Sequence, residues 1–238
     1  MTPGSKAETL RKLHRGARLL VLPNAWDAAS ARAFAAVPGC AAIATTSAAV
    51  ARALGYEDGE QTPVAEMIRA VGAIARSVEV PVSADLEAGY GDPIETARLA
   101  WDAGAVGMNL EDSRRGTLVT VEEQADVLRH VREAVPDLVL NARTDVFLHG
   151  DGDVAEAVER ANAYLAAGAD CAYPILAPRE TWAGLAERID GPVNVLFQPG
   201  DGPLDEIARL GIRRVTFGAG LANAALAEAE RLVREALA

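Results

Sequence analysis

Asp85 and Glu87 stand two residues apart in the run Ser83-Ala84-Asp85-Leu86-Glu87-Ala88-Gly89-Tyr90-Gly91-Asp92. In extended chain that spacing turns both carboxylates to the same side. Glu111 follows in Asn109-Leu110-Glu111-Asp112, and Arg143 in Asn141-Ala142-Arg143-Thr144-Asp145. Each segment ends a short apolar run. Carboxylates gathered at one place repel one another, and a hard divalent cation is the simplest offset. Mg²⁺ takes one or two carboxylates directly and keeps several waters. Asp85 is therefore expected as the direct ligand of Mg²⁺, with Mn²⁺ as the alternative ion, and Glu87 and Glu111 act largely through water. Arg143 fits a bidentate clamp for a substrate carboxylate or phosphonate. The competing reading is an ion-pair network of Arg143 with Glu111 and Asp145 that serves only structure.

Other residues carry weaker signals. Thr45-Thr46-Ser47-Ala48-Ala49-Val50 opens a long loop whose small residues leave backbone N–H groups open to an anion, or merely cap a helical turn. Asp58 sits in a Gly-flanked turn, which alone accounts for an Asp. Trp26, after Asn24-Ala25, either walls a pocket or fills core. Gly218-Ala219-Gly220 suits a phosphate cradle or a plain turn. Cys40 and Cys171 read as small core residues, and His130 and His149 as solvated or loop positions.

The elements that must position these groups follow from periodicity. Eight short apolar runs cover 18–22, 41–44, 80–84, 105–110, 138–142, 169–173, 193–197 and 213–217. They do not alternate strictly, as expected of strands buried on both faces. Between and after them lie helix patterns at 27–37, 63–77, 93–103, 121–134, 153–167, 179–188, 203–210 and 219–237, with an extra helix at 5–15. Start signals stand at Asp27, at Asp92-Pro93 and at Thr120 with Glu123. The steps Ala103-Gly104-Ala105, Ala167-Gly168-Ala169 and Leu210-Gly211-Ile212 are helix-to-strand turns that need a left-handed residue.

Eight strand–helix units predict an α/β chain closed as a (β/α)₈ barrel, one domain over 1–238, preceded by the extra helix. The open doubly wound sheet is the alternative, but no Gly-x-Gly-x-x-Gly follows the first run. In a barrel the chemistry sits at the C-terminal ends of the strands, where Asp85, Glu111 and Arg143 fall. A net charge of −11 argues against nucleic acid and against anionic membrane surfaces as partners. No run approaches the ~18 apolar residues of a membrane span. The first eight residues lack the apolar core of a signal peptide, and two cysteines make no disulfide framework. A cytoplasmic protein acting on a small carboxylate is the expectation.

Five segments, in order, carry a resemblance: Leu22-Pro23-Asn24-Ala25-Trp26-Asp27, Leu54-Gly55-Tyr56-Glu57-Asp58-Gly59, Ala84-Asp85-Leu86-Glu87-Ala88-Gly89-Tyr90-Gly91, Asn109-Leu110-Glu111-Asp112-Ser113 and Asn141-Ala142-Arg143-Thr144-Asp145. Together they resemble the isocitrate lyase/phosphoenolpyruvate mutase superfamily. The resemblance implies a (β/α)₈ barrel, Mg²⁺, and homo-oligomers, dimers or more usually tetramers, often with the last helix exchanged between neighbours. It implies that Asp85 anchors the metal, that Glu87 holds metal-bound water where an Asp is commoner, and that Glu111 is the third carboxylate. Arg143 matches the substrate-binding arginine, and Asp58 an aspartate at the active-site edge of the phosphonate branch. Thr46, Ser47 and Ala48 match the segment whose backbone holds a 2-oxo-acid carboxylate.

The departures bear on the reaction. The isocitrate and methylisocitrate lyases carry a Lys-Lys/Arg-Cys-Gly-His motif on a mobile loop after the fourth strand. Here Ser113-Arg114-Arg115-Gly116-Thr117-Leu118 is short and has neither cysteine nor histidine. Those lyases also place a glutamate after the Pro of the sixth strand, where Ile175 follows Pro174. Phosphonate members use an Asn or Thr on the gating loop, which makes Thr117 the candidate. The shared chemistry, a pyruvate enolate stabilised by the cation as a Lewis acid, needs no cysteine. The expected function is thus Mg²⁺-dependent cleavage of a C–C bond, by a lyase or decarboxylase, in a small 2-oxo or 2-hydroxy acid. A phosphoenolpyruvate mutase or phosphonopyruvate hydrolase, working on a P–C bond, is the second reading. A barrel that only binds 2-oxo acids is the third. The short loop favours it, and the retained Asp85, Glu87, Glu111 and Arg143 oppose it.

Overall fold

The structure, a computed structural model, describes residues 2–238. Helix α1 (Pro3–Arg15) leads into a first strand in two pieces, β1 (Leu20–Leu22) and β2 (Asn24–Ala25), and then α2 (Ala28–Ala35). Strand β3 (Ile43–Thr45) is followed by α3 (Ser47–Leu54) and α4 (Val64–Arg76), and β4 (Val82–Asp85) by α5 (Pro93–Asp102). Strand β5 (Gly107–Glu111) runs into a hairpin, β6 (Ser113–Arg114) and β7 (Thr117–Leu118), and then α6 (Val121–Ala134). Next come β8 (Val139–Thr144), α7 (Val146–His149), α8 (Val154–Ala166), β9 (Cys171–Pro174) and, through a 3₁₀ turn, α9 (Trp182–Arg188). Strand β10 (Asn194–Leu196), α10 (Leu204–Arg209), β11 (Arg214–Thr216) and α11 (Gly220–Leu237) complete the chain.

The parallel order β2-β3-β4-β5-β8-β9 is one arc, and β10-β11-β1 is the other. A bridge from Ala172 to Val193 joins the arcs on one side. On the other side β1 continues into β2, so the eight barrel positions close on themselves. The expected (β/α)₈ barrel and its extra first helix are both present. Helix starts follow the chemistry of their caps. Asp27 and Ser30 form a capping box, as do Thr120 and Glu123, and Asp92 accepts from Ile94 and Glu95. Gly104, Gly168 and Gly211 take φ of +99°, +108° and +92°, the left-handed turns their positions require.

Pro23 explains why the first strand is split. It has no N–H to give a ladder, so β1 pairs only with β11 and β2 only with β3. The buried Asn24 side chain spans the gap. Its Nδ2 donates to the Thr45 carbonyl at 2.6 Å, and its Oδ1 accepts from the Phe217 N–H at 2.7 Å.

The strands alternate more strictly than the sequence led us to expect. Ala84, Met108, Leu110, Leu140 and Ala142 join the apolar layer under the helices, with Met67, Val71, Leu128 and Val131. The intervening Ser83, Asp85, Asn109, Asn141 and Arg143 instead make polar contacts between strands. Helix α1 closes the other end with Leu10 and His14, both buried. Gly107 permits this, because a Cβ there would lie 2.9 Å from Leu10 Cδ2 and 3.2 Å from the Val139 carbonyl.

Three elements were not anticipated: α3, read as loop; the β6–β7 hairpin; and α7. Helix α11 buries only Ala222 and leaves Leu226, Leu232, Val233 and Leu237 exposed.

Asn24→Ala removes two buried hydrogen bonds at the barrel seam and strands their partners. It should cost about 2–4 kcal/mol, read as a lower urea midpoint with the slope unchanged.

Candidate active site

Parallel register lines the site up in two rows. Asp85 pairs with Asn109, and Asn109 with Asn141. One step nearer the strand ends, Glu111 pairs with Arg143, and Arg143 with Tyr173. The barrel thus delivers residues distant in sequence to one rim.

Asp85 is held by neutral donors. Its Oδ2 accepts from Ser47 N–H at 3.0 Å and is 3.1 Å from Ser47 Oγ, and its Oδ1 accepts from Asn109 Nδ2 at 3.2 Å. Its own N–H donates to Thr45 Oγ1. Among the described residues it has no ion-pair partner. Of the two readings of Thr46, Ser47 and Ala48, anion-binding loop or helical cap, the backbone takes the second. Thr46 caps α3, and the first N–H of that helix is already spent on Asp85.

Glu87 does not follow Asp85 as extended chain. Strand β4 ends at Asp85, and Glu87 takes a left-handed φ of +51°, a strained conformation for a side chain with a Cβ. The same-side argument for the pair is corrected on this point. The turn instead brings Glu87 to the Tyr90 hydroxyl at 2.6 Å and the Glu60 N–H at 2.7 Å. Gly89 cannot carry a side chain there, since its Cβ would sit 2.5 Å from Pro93.

Arg143 occupies the network foreseen as the competing reading. Its Nε and Nη2 grip Asp145 at 2.5 and 3.1 Å, and its Nη1 meets Glu111 Oε2 at 2.8 Å. A guanidinium has five N–H groups, so two remain for a ligand. Asp145 is itself fixed by Ser113 Oγ at 2.5 Å and through its N–H by Asp112 at 2.8 Å. Asp112 is fully buried and takes the Tyr164 hydroxyl at 2.7 Å and Arg160 at 3.2 Å.

The charges feel one another. Burial, with Asp58 and Asp85 adding, pushes the Glu87 carboxyl up to about 7 against the pull of Tyr90 and the Glu60 N–H. Burial also raises Glu111, with Asp145, Asp85 and Glu87 in the same direction and Arg143 opposing. Asp58, on the loop between α3 and α4, is raised by burial and by Asp85, against a hydrogen bond from Ser47. Burial works against the Arg143 charge, yet Glu111, Asp145 and Asp85 outweigh it and hold the guanidinium protonated.

The remaining predicted residues lie elsewhere. Thr117 is exposed on the hairpin, in register with Arg114. Trp26 stacks edge-on against Phe34 at 6.0 Å and lines a groove of about 310 Å³ with Ala49, Arg52, Ala222 and Leu226, between α3 and α11. A polar recess of about 390 Å³ lies among the loops that follow β4 and β5, bounded by Glu60, Ala88, Gly91, Pro93, Arg114 and Arg115, and Asp85, Glu87, Glu111 and Arg143 do not line it. The sequence reading gave no part to Asn109, Asn141, Tyr90, Tyr173 or Arg214. Polar residues two apart inside apolar runs, as Ser83 to Asp85 and Asn109 to Glu111, were the available signal.

The chain matches the family described as phosphoenolpyruvate phosphomutase over residues 10–237. A 2-methylisocitrate lyase of Bacillus subtilis is 28% identical over 243 residues, covering 95% of this chain and 80% of the lyase. Among solved structures, a Burkholderia cenocepacia protein provisionally called a phosphonomutase superposes with a TM-score of 0.92 at 38% identity, over 97% of this chain and 99% of that one. Oxaloacetate acetylhydrolase, bound to the inhibitor 3,3-difluorooxalacetate, superposes with a TM-score of 0.85 at 29% identity, over 98% of this chain and 87% of that one.

A carboxyl raised to about 7 in the folded chain stabilises the fold below its unfolded value of 4.5 and loses that contribution as pH rises through 7. Chelator-treated protein should thus lose roughly 2 kcal/mol from Glu87 between pH 5 and pH 8. Burial lowers His14 to about 4, which acts in the opposite sense below its ordinary 6.5. The difference between wild type and Glu87→Gln, followed by denaturant unfolding across this range, isolates the Glu87 share.

Proposed function

The chain belongs to the phosphoenolpyruvate phosphomutase family, whose superfamily includes the isocitrate lyases, and on that premise we propose that it cleaves a C–C bond in a small 2-oxo or 2-hydroxy acid with Mg²⁺ at Asp85. One observation carries the reading. Asp85 is oriented by Ser47 and Asn109 with no cation beside it, while its charge disfavours ionisation of Asp58, Glu87 and Glu111. A divalent cation relieves all three.

The donor set fits Mg²⁺ with one direct carboxylate. Among the described residues no three carboxylate, histidine or cysteine side chains form a cage, so Glu87 and Glu111 serve through water, as Mg²⁺ allows. Mn²⁺ suits the same oxygens. When bound, the cation supplies Lewis-acid stabilisation of the oxyanion that develops on the substrate. The chain does the rest. Asp145 aims the Arg143 fork, whose two free N–H groups take the substrate carboxylate. Glu111 keeps Nη1 turned to the rim. Arg114 and Arg115 border a polar recess on the neighbouring loops and supply local positive charge there. Small-acid substrates suit the net charge of −11 only where such local cations gather.

The similarity to the Burkholderia protein favours a second reading, P–C chemistry as a phosphoenolpyruvate mutase or phosphonopyruvate hydrolase. Thr117 and Asp58 are its residues, and the hairpin must then fold inward to use Thr117. Trp26 serves the substrate in neither reading unless the groove beside α11 opens to the rim. The exposed apolar residues of α11 favour a dimer or tetramer. No helix of the described residues is long and apolar enough to cross a membrane.

Pyruvate release from oxaloacetate and branched malates, beside phosphorus NMR on phosphonopyruvate, separates the readings. Tight 2-oxo-acid binding without turnover on any of them leaves the binding barrel. Asp85→Ala should lose Mn²⁺ binding at least 100-fold, and wild-type affinity in that variant removes the metal assignment. Arg143→Ala should weaken oxalate about 10- to 100-fold, as expected for a lost charge-assisted pair, and Arg143→Lys should recover only part. Light scattering should give a mass at least twice 24.9 kDa.

A further inference from the structure

Arg214 is the largest side chain with essentially no solvent exposure. It lies in β11, in register with Leu20 and Asn194. Among the described residues it has no ion-pair partner. Its contacts are long and neutral: Nη1 to His14 Nε2 at 3.2 Å, and Nη2 to Ser83 Oγ and Asn109 Oδ1, both at 3.4 Å. Among the described residues its Nε has no hydrogen-bond partner. The Nδ1 of His14 is 2.8 Å from the Leu10 carbonyl. A carbonyl only accepts, so Nδ1 carries the hydrogen and Nε2 is free to accept from Arg214.

Burying a guanidinium without a carboxylate is expensive, and a fold keeps one only against some compensation. Asn109 supplies the connection. Its Oδ1 accepts from Asn141 Nδ2 at 2.7 Å and from Arg214 Nη2, so the amide must present its Nδ2 the other way, to Asp85 Oδ1 at 3.2 Å. Were the amide reversed, two donors would face an NH₂ group and Asp85 would face an oxygen.

We propose that Arg214 is a positioning residue for Asp85: through Asn109 it fixes how the Asp85 carboxylate is presented at the rim, and its buried charge offsets part of the negative charge gathered there. This rests on the reading of Asp85 as the cation anchor. It assigns a functional part to a side chain at the closed end of the barrel, behind α1.

The test compares wild type, Arg214→Met, Arg214→Lys, Asn109→Ala and the double variant Arg214→Met/Asn109→Ala. Each is stripped with chelator, confirmed folded by circular dichroism, and titrated with Mn²⁺ by electron paramagnetic resonance without substrate. Arg214→Met should lose 10- to 100-fold in Mn²⁺ affinity, the usual effect of removing a group that orients a ligand. Arg214→Lys should lose less, because it keeps the charge but not the fork. The double variant should bind about as well as the weaker single one, since both act on one link. Folded Arg214→Met with wild-type affinity overturns the proposal, as do losses that simply multiply. A metal-free readout keeps it separate from the cation reading. The Asn109 side-chain amide signal in nitrogen-15 NMR should be shielded from solvent exchange in wild type and released in Arg214→Met. If wild type binds no Mn²⁺, the anchor reading fails, and an amide signal unmoved by Arg214→Met or Arg214→Lys overturns the positioning role by itself. Arg214→Lys carries the comparison should Arg214→Met not fold.

Discussion

A carboxylate without a counter-charge governs this molecule. Asp85 is oriented by a helix N–H, a hydroxyl and an amide, all of which direct it and none of which neutralises it. Arg143, on the same rim, is committed to Asp145 and Glu111. The rim therefore keeps a negative surplus that no ion pair at Asp85 discharges, and this surplus adds to burial, the larger cause, in raising the proton affinity of Glu87, Glu111 and Asp58. Rigid support makes it tolerable. Register across β4, β5 and β8 sets each partner opposite the next, so the groups that touch Asp85 directly are short side chains and backbone.

The arginine is held as firmly as the carboxylate is left free. Tyr164 and Arg160 fix Asp112, Asp112 and Ser113 fix Asp145, and Asp145 fixes Arg143. The ion-pair network and the substrate clamp are not rivals, because a guanidinium has donors enough for both. Structural ion pairing here narrows the directions in which the two remaining N–H groups can point, and that is the precondition for recognising a planar anion.

All eight barrel strands were legible in the sequence, because apolar runs bounded by caps and glycines leave few ways to divide the chain. Their edges were set two residues early, at 80 for Val82 and at 169 for Cys171, since the apolar residues before each strand belong to the turn that enters it. Helix α3 was missed. The Thr and Ser at its start read equally as a helical cap and as an open loop, and Thr46 makes no side-chain cap bond. Asp85, Glu111 and Arg143 were legible by position at strand ends. The conformation of Glu87 was not, because nothing in Asp85-Leu86-Glu87 announces a left-handed residue that only the contacts of Tyr90 and Glu60 stabilise. Arg214 was hidden for a different reason: in a run of Val and Ile an arginine reads as an edge residue, and only barrel closure encloses it.

The split first strand gives the ring one joint unlike the others. All eight strand-to-strand junctions are backbone to backbone, and changing any one of them shifts a whole register. At Pro23 two half-strands each serve one neighbour and an amide side chain spans between them. Small changes in girth can be absorbed there without disturbing the register that spaces the two polar rows at the strand ends.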